Sequence, residues 1–192
     1  MIWESSYWKD PLLEAANLIE AYSRTAEPPE ALAGAAEYAL MTSFFAIRKL
    51  IDAKTKLTKE TEAQVVSMTR HRSVFAPSDP VNKPNLMNWH DLYRFYDFET
   101  SHTVEKELYY ACNQIVHSFI FAFVCSDDGK PEGILFSSDK DKDKFVNYME
   151  LDLIVRVFRR VGNDQITELT MSRDLDPNKK QSTGDWTIRK SV

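Results

Sequence analysis

The chain has 192 residues, 43% hydrophobic and 28% charged, an ordinary globular composition long enough to bury one substantial core. With 24 basic residues against 29 acidic ones the formal charge is -5, so a broad basic surface for duplex DNA is not the default expectation. The longest uniformly apolar run, Phe119 to Cys125, falls far short of the ~20 residues that span a bilayer, and no membrane partner is expected.

The opening MIWESSYWKDPLLEAA lacks a basic n-region and a continuous apolar h-region, so it does not read as a signal peptide and a cytosolic protein is expected. Cys112 and Cys125 lie inside apolar runs without metal-ligand spacing and read as two reduced, buried thiols. Asp10-Pro11 predicts a helix start, continued by Leu12, Leu13, Ala16, Leu18 and Ile19 to about Arg24. After Glu27-Pro28-Pro29 a long second helix is expected from about Glu30 to Leu57, centred on Leu40, Phe44, Ile47 and Ile51 with Arg48 on its flank. Thr58 to His71 reads as a third helix ending in Arg70-His71-Arg72, the densest positive cluster of the first half. Pro77, Pro80 and Pro84 mark an extended connection from about Ser73 to Asn88, and Trp89 to Phe98 reads as a short aromatic helix.

Thr103 to Phe121 has helical spacing on two opposite sides. Val104, Leu108, Ala111, Cys112, Ile115 and Phe119 form a core stripe at about 100° per residue. The opposite side carries Tyr109, Tyr110, Asn113, His117 and Ile120, with Lys106 above them. A helix aromatic on its outer face normally packs against a second surface, which makes Tyr109 and Tyr110 candidate interface residues.

Beyond Ser118 to Ala122 the pattern turns to strands. Phe119–Cys125 and Gly133–Ser137 should pair across the Asp128-Gly129 turn. The run Asp139 to Lys144 reads as a solvated hairpin tip, and Phe145 to Met149 as a third strand. Leu151, Ile154, Val155, Phe158 and Val161 predict a helix ending at Gly162-Asn163. Thr167, Leu169 and Met171, then Trp186 and Ile188, alternate as two last strands sharing one core. The expected fold class is therefore α+β: a helical bundle over about 1–118, then a small antiparallel β extension with one helix over 119–192, packed as one unit.

No glycine-rich phosphate loop or nucleophile elbow is present, and His71, His90, His102 and His117 are not spaced as a zinc set. Cys112-Asn113-Gln114-Ile115-Val116-His117, with FFAIRKLIDAK at Phe44 to Lys54, resembles the HEPN superfamily over about residues 30–120. In that family one helix of a bundle carries an arginine, often a polar residue next, and a histidine at the spacing seen here. Asn113 and His117 match the polar position and the histidine, whereas the arginine position holds Cys112. The resemblance implies a metal-independent endoribonuclease of defence or toxin type, or a degenerate relative of one, without a cofactor. In such enzymes an arginine and a histidine from two protomers cleave RNA with its 2′-hydroxyl as nucleophile.

On that reading His117, Asn113 and Arg48 are the catalytic candidates, with Arg48 or Lys106 supplying the missing cation. Lys106, Arg70 and Arg72 are the RNA-binding candidates. The expected partners are RNA and a second protein chain, either another copy of this one or a different protein. Structural readings stand beside these: His117 and Asn113 bonding backbone groups, Arg48 in a salt bridge, Arg70 and Arg72 as solvated charges. The alternative function is a non-catalytic interaction or regulatory subunit acting through the outer face of 103–121. A small-molecule binder built on Trp89, Tyr93, Phe95 and Tyr96 is a third.

Overall fold

The computed structural model describes residues 2–75, 83–172 and 187–191. Its fold is α+β, as expected. Helix α1 (Ser6–Ser23) opens before Asp10, so Pro11 lies in its second turn and one helical hydrogen bond is given up. Leu12, Ala15, Ala16, Ile19 and Tyr22 bind α1 to the core. Pro29 launches α2 (Glu30–Asp52), which stops short of the expected Leu57 because Lys54 turns left-handed at φ 61.

Three expected helices are corrected here. Thr58 caps only a single turn, α3 (Lys59–Glu62), and the chain then runs as strand β1 (Val65–Arg72). Val65, Val66 and Thr69 are β-branched, and Val66, Met68 and Arg70 alternate onto one face. The short helix α4 (Leu92–Phe95) is all that forms of the aromatic segment. Thr103 to Phe121 is likewise not one helix. It is strand β2 (His102–Glu107), helix α5 (Leu108–Val116) and the start of strand β3 (Ser118–Cys125). The four-residue interval from Val104 to Leu108 mimics a helical stripe, but β2 is a charged edge strand with only Val104 turned partly inward.

Strands β4 (Pro131–Ser138) and β5 (Phe145–Glu150), helix α6 (Leu151–Asn163) and the ribbon β6 (Glu168–Ser172) with β7 (Thr187–Ser191) complete the elements. The β3–β4 hairpin pairs as expected, Phe121 opposite Phe136 and Phe123 opposite Ile134, with Gly129 at φ 74 in its turn. The last two strands depart from expectation. They pair with each other, but every residue of β6 is exposed, so they share no core; Trp186 lies outside the described residues. The expected extended connection is described only outside 76–82.

The five-stranded antiparallel sheet has the order β2-β1-β5-β4-β3. Strands from both sides of residue 118 therefore share one sheet, and α5 carries the chain from one edge to the other. One sheet face, with Val66, Met68, Ile134, Phe136 and Met149, packs under α1, α2, α5 and α6. The reverse face, with Ile120, Leu135 and Val146, is covered by Leu92, Phe95 and Tyr96. Among the described residues no helix is long and apolar enough to cross a membrane.

Candidate functional site

Helix α5 is the element to build on, because its core stripe and its outer arc are both crowded. Leu108, Ala111, Cys112 and Ile115 are fully buried. Burial pushes the Cys112 thiol well above the usual range, against the pull of the nearby Arg48 charge, so this side chain is neutral and closed off. Cys125, by contrast, is exposed, which corrects the expectation of two buried thiols; its position at the end of β3 turns it out of the sheet's cover.

Tyr109, Tyr110, Asn113 and His117 occupy the other arc of α5, as the wheel predicts. The two tyrosines and Asn113 are half-buried and His117 is exposed. His117 ends the helix. Its N–H donates to the Asn113 carbonyl at 3.2 Å and its own carbonyl accepts from the Asp139 N–H at 3.1 Å. The backbone is thus fixed on both sides while the imidazole faces solvent.

Arg48, half-buried on α2, reaches this imidazole: Nη1 lies 2.9 Å from His117 Nε2. A guanidinium has no lone pair to offer, so Arg48 donates, Nε2 accepts and the ring proton of a neutral His117 sits on Nδ1. The guanidinium carbon also stands 6.0 Å from the Tyr109 ring centroid. Arg48 Nε is buried without a hydrogen-bond partner among the described residues. Of the two candidate cations, then, Arg48 meets His117, whereas Lys106 lies on β2 with Nζ 5.8 Å from the Tyr110 ring centroid. Asn113 sits one turn before His117, and its side-chain amide makes no hydrogen bond among the described residues.

Arg70 points inward from β1 and is committed to the fold. Its Nε donates to Asn147 Oδ1 at 2.9 Å, its Nη2 to Tyr110 Oη at 3.0 Å, and its guanidinium stacks 3.7 Å from the Phe145 ring centroid. Burial raises the Tyr110 pKa although the Arg70 charge and hydrogen bond oppose it. Arg72, two residues on, is exposed. Neither is a loop charge, because the segment is a strand.

A further cluster, not among the predicted site residues, pins α5 from its other flank. Gln114 Nε2 donates to Asp141 Oδ2 at 2.8 Å, and Gln114 Oε1 accepts from the Ser138 N–H at 3.1 Å. Lys144 Nζ closes on Asp141 Oδ1 at 2.8 Å. Burial works against the Asp141 charge, but the Lys144 and Gln114 hydrogen bonds hold its carboxyl below the ordinary range. The Asp/Lys run was expected to be a solvated tip; Asp141 instead anchors the end of the catalytic candidate's helix. Gln114 is the one polar residue on the buried side of α5, and that was the available signal.

The arrangement places an exposed imidazole, a guanidinium with unspent donors and a free amide on one surface, above a neutral thiol. Such a set can bind an anionic group and move a proton beside it. No protein-family model matches the chain, nor does any curated protein or solved structure.

Proposed function

We propose that this chain is a metal-independent endoribonuclease, HEPN-like and of the defence or toxin type, in which Arg48 replaces the motif arginine lost at Cys112. The observation that carries the reading is the 2.9 Å contact between Arg48 and His117, drawn from two helices of one chain. An HEPN-like bundle would draw on α1, α2, α5 and α6, with the shortened α5 supplying the histidine.

A phosphodiester entering the site competes for the guanidinium. As Arg48 turns to the phosphate oxygens, His117 Nε2 is released as a base. It takes the proton of the 2′-hydroxyl, the 2′-oxygen attacks phosphorus, and the bond to the 5′-oxygen breaks. Arg48 balances the charge that accumulates on the phosphoryl oxygens, and Asn113 donates to the same group. In a homodimer joined along the Tyr109 and Tyr110 face, a second copy's His117 that has first taken a proton from solvent gives it to the leaving 5′-oxygen, and the proton gathered by the first His117 returns to solvent. Lys106 and Arg72 guide the RNA backbone, while Arg70 positions Tyr110.

Incubating single-stranded RNA with the protein in excess chelator tests this. Fragments ending in 2′,3′-cyclic phosphate are expected, and intact RNA would overturn the proposal. One feature favours a second reading, a non-catalytic protein-binding subunit: Tyr7, Tyr38 and Phe45 line an apolar groove of about 650 Å³ between α1 and α2 and are 81%, 72% and 43% exposed. That reading requires intact RNA in the same assay.

A further inference from the structure

The reverse face of the sheet holds a cavity that the cleavage site does not use. Its floor crosses four strands: His71 on β1, Tyr148 on β5, Leu135 on β4 and Val124 on β3. Phe98 and Tyr93, the latter 87% exposed, border it on the segment that covers this face, so it opens to solvent beside Tyr93, and its volume is about 260 Å³. An apolar cavity of about 150 Å³ takes benzene, so this one has room for a fused pair of rings.

The walls are mainly rings and branched aliphatic groups. Phe98 lies 4.7 Å from the His71 ring and 4.9 Å from the Tyr93 ring, centroid to centroid, which leaves faces and edges for a further ring. Gly133 is what lets Tyr148 form a wall, since a Cβ there would come within 2.2 Å of the tyrosine ring. The His71 ring contributes one polar atom. Its Nδ1 donates to the Asp97 carbonyl at 3.2 Å, and this leaves Nε2 as an acceptor. Among the described residues no carboxylate or ammonium lines the cavity, so a charged ligand would be stripped of water without a counter-charge from them.

We propose that this cavity is a binding site for a small, uncharged, planar heteroaromatic compound, one or two fused rings carrying an N–H that donates to His71 Nε2. The site lies on the sheet face away from Arg48 and His117, so it stands or falls independently of RNA cleavage. It also gives Tyr93 a role distinct from Phe95 and Tyr96, which are buried in the covering core, and from Trp89, which lies outside the lining.

The test is a titration of the full chain followed by the methyl and ring signals of Val124, Leu135 and Phe98 in two-dimensional NMR. Three probes are used: indole, benzofuran (the same shape without the donor) and tetramethylammonium. Indole should give saturable shifts at those residues with a dissociation constant of roughly 0.1–1 mM, the range for so small a ligand. Val124→Phe, which fills the cavity, should abolish them; if that variant does not fold, Leu92→Trp is read in its place. His71→Phe should weaken indole about tenfold, the worth of one hydrogen bond, and leave benzofuran within about twofold. Absent or non-saturating indole shifts, unchanged binding in the filled variant, or tetramethylammonium binding as tightly as indole would each overturn the proposal. Equal weakening of indole and benzofuran by His71→Phe would do the same for the hydrogen bond it assigns.

Discussion

Lys9 and Arg48 are both cations held against the same helical core, and they are held in opposite ways. Lys9 is buried. Its Nζ donates to the Asp164 carbonyl at 2.6 Å and faces Asp164 Oδ1 at 3.8 Å. The same carboxylate accepts from the Thr58 N–H at 3.0 Å and from Thr58 Oγ1 at 2.6 Å, so α1, α3 and the end of α6 are knotted together. Burial lowers the Lys9 pKa and the Asp164 charge opposes that fall. Arg48 has an exposed imidazole as its hydrogen-bond partner and keeps a buried Nε without one among the described residues. A satisfied buried pair can only stabilise the fold that made it, whereas an under-satisfied cation beside solvent retains donors for something that arrives later.

This difference is open to attack at several points, from the largest effect on stability to the smallest. Asp164→Ala leaves a buried lysine without its carboxylate and strips Thr58 of its acceptor; urea unfolding should show a loss of about 3 kcal/mol. Arg70→Ala orphans Asn147 and removes the hydrogen bond to Tyr110, and the same measurement should show about 2 kcal/mol. Asp141→Asn probes the clamp on α5. The folded carboxyl is held below its ordinary value, so its contribution is present above about pH 4 and is lost as the pH falls below that. The variant should therefore cost about 1 kcal/mol at pH 6 and progressively less as the pH falls below about 4, read as the gap between paired melting curves. Arg48→Ala and His117→Ala should each change stability by less than about 1 kcal/mol, because their contact is solvent-facing. A large loss in either would turn the pair into a second structural knot.

How far the sequence foretells this molecule depends on whether a segment's pattern has one meaning. The β3–β4 hairpin was legible because Phe119 to Cys125 is β-branched and aromatic and Asp128-Gly129 suits the turn. Helix α6 was legible from Leu151, Ile154, Val155, Phe158 and Val161, all five of which are buried. Strand β2 was hidden because HTVEKE turns only Val104 partly inward, and its spacing to Leu108 is also helical. Strand β1 was hidden because one of its inward residues is Arg70, whose partners Tyr110, Asn147 and Phe145 are distant in sequence. The site was half legible. Asn113 and His117 share an arc under any helical reading, and Arg48 was one of two candidate cations. Gln114, Asp141 and Lys144, which hold that arc in place, pair only once α5 lies across the sheet.

The central claim is that Arg48 and His117 act as one catalytic unit. Its most direct test compares RNA cleavage by the wild type, Arg48→Ala, His117→Ala and the double variant, with melting curves run on all four. The account predicts active wild type, a loss of roughly a hundredfold in each single variant, and little further loss in the double, with all four folded. Wild type that leaves RNA intact, or single variants that are folded and cleave as fast as wild type, would contradict it.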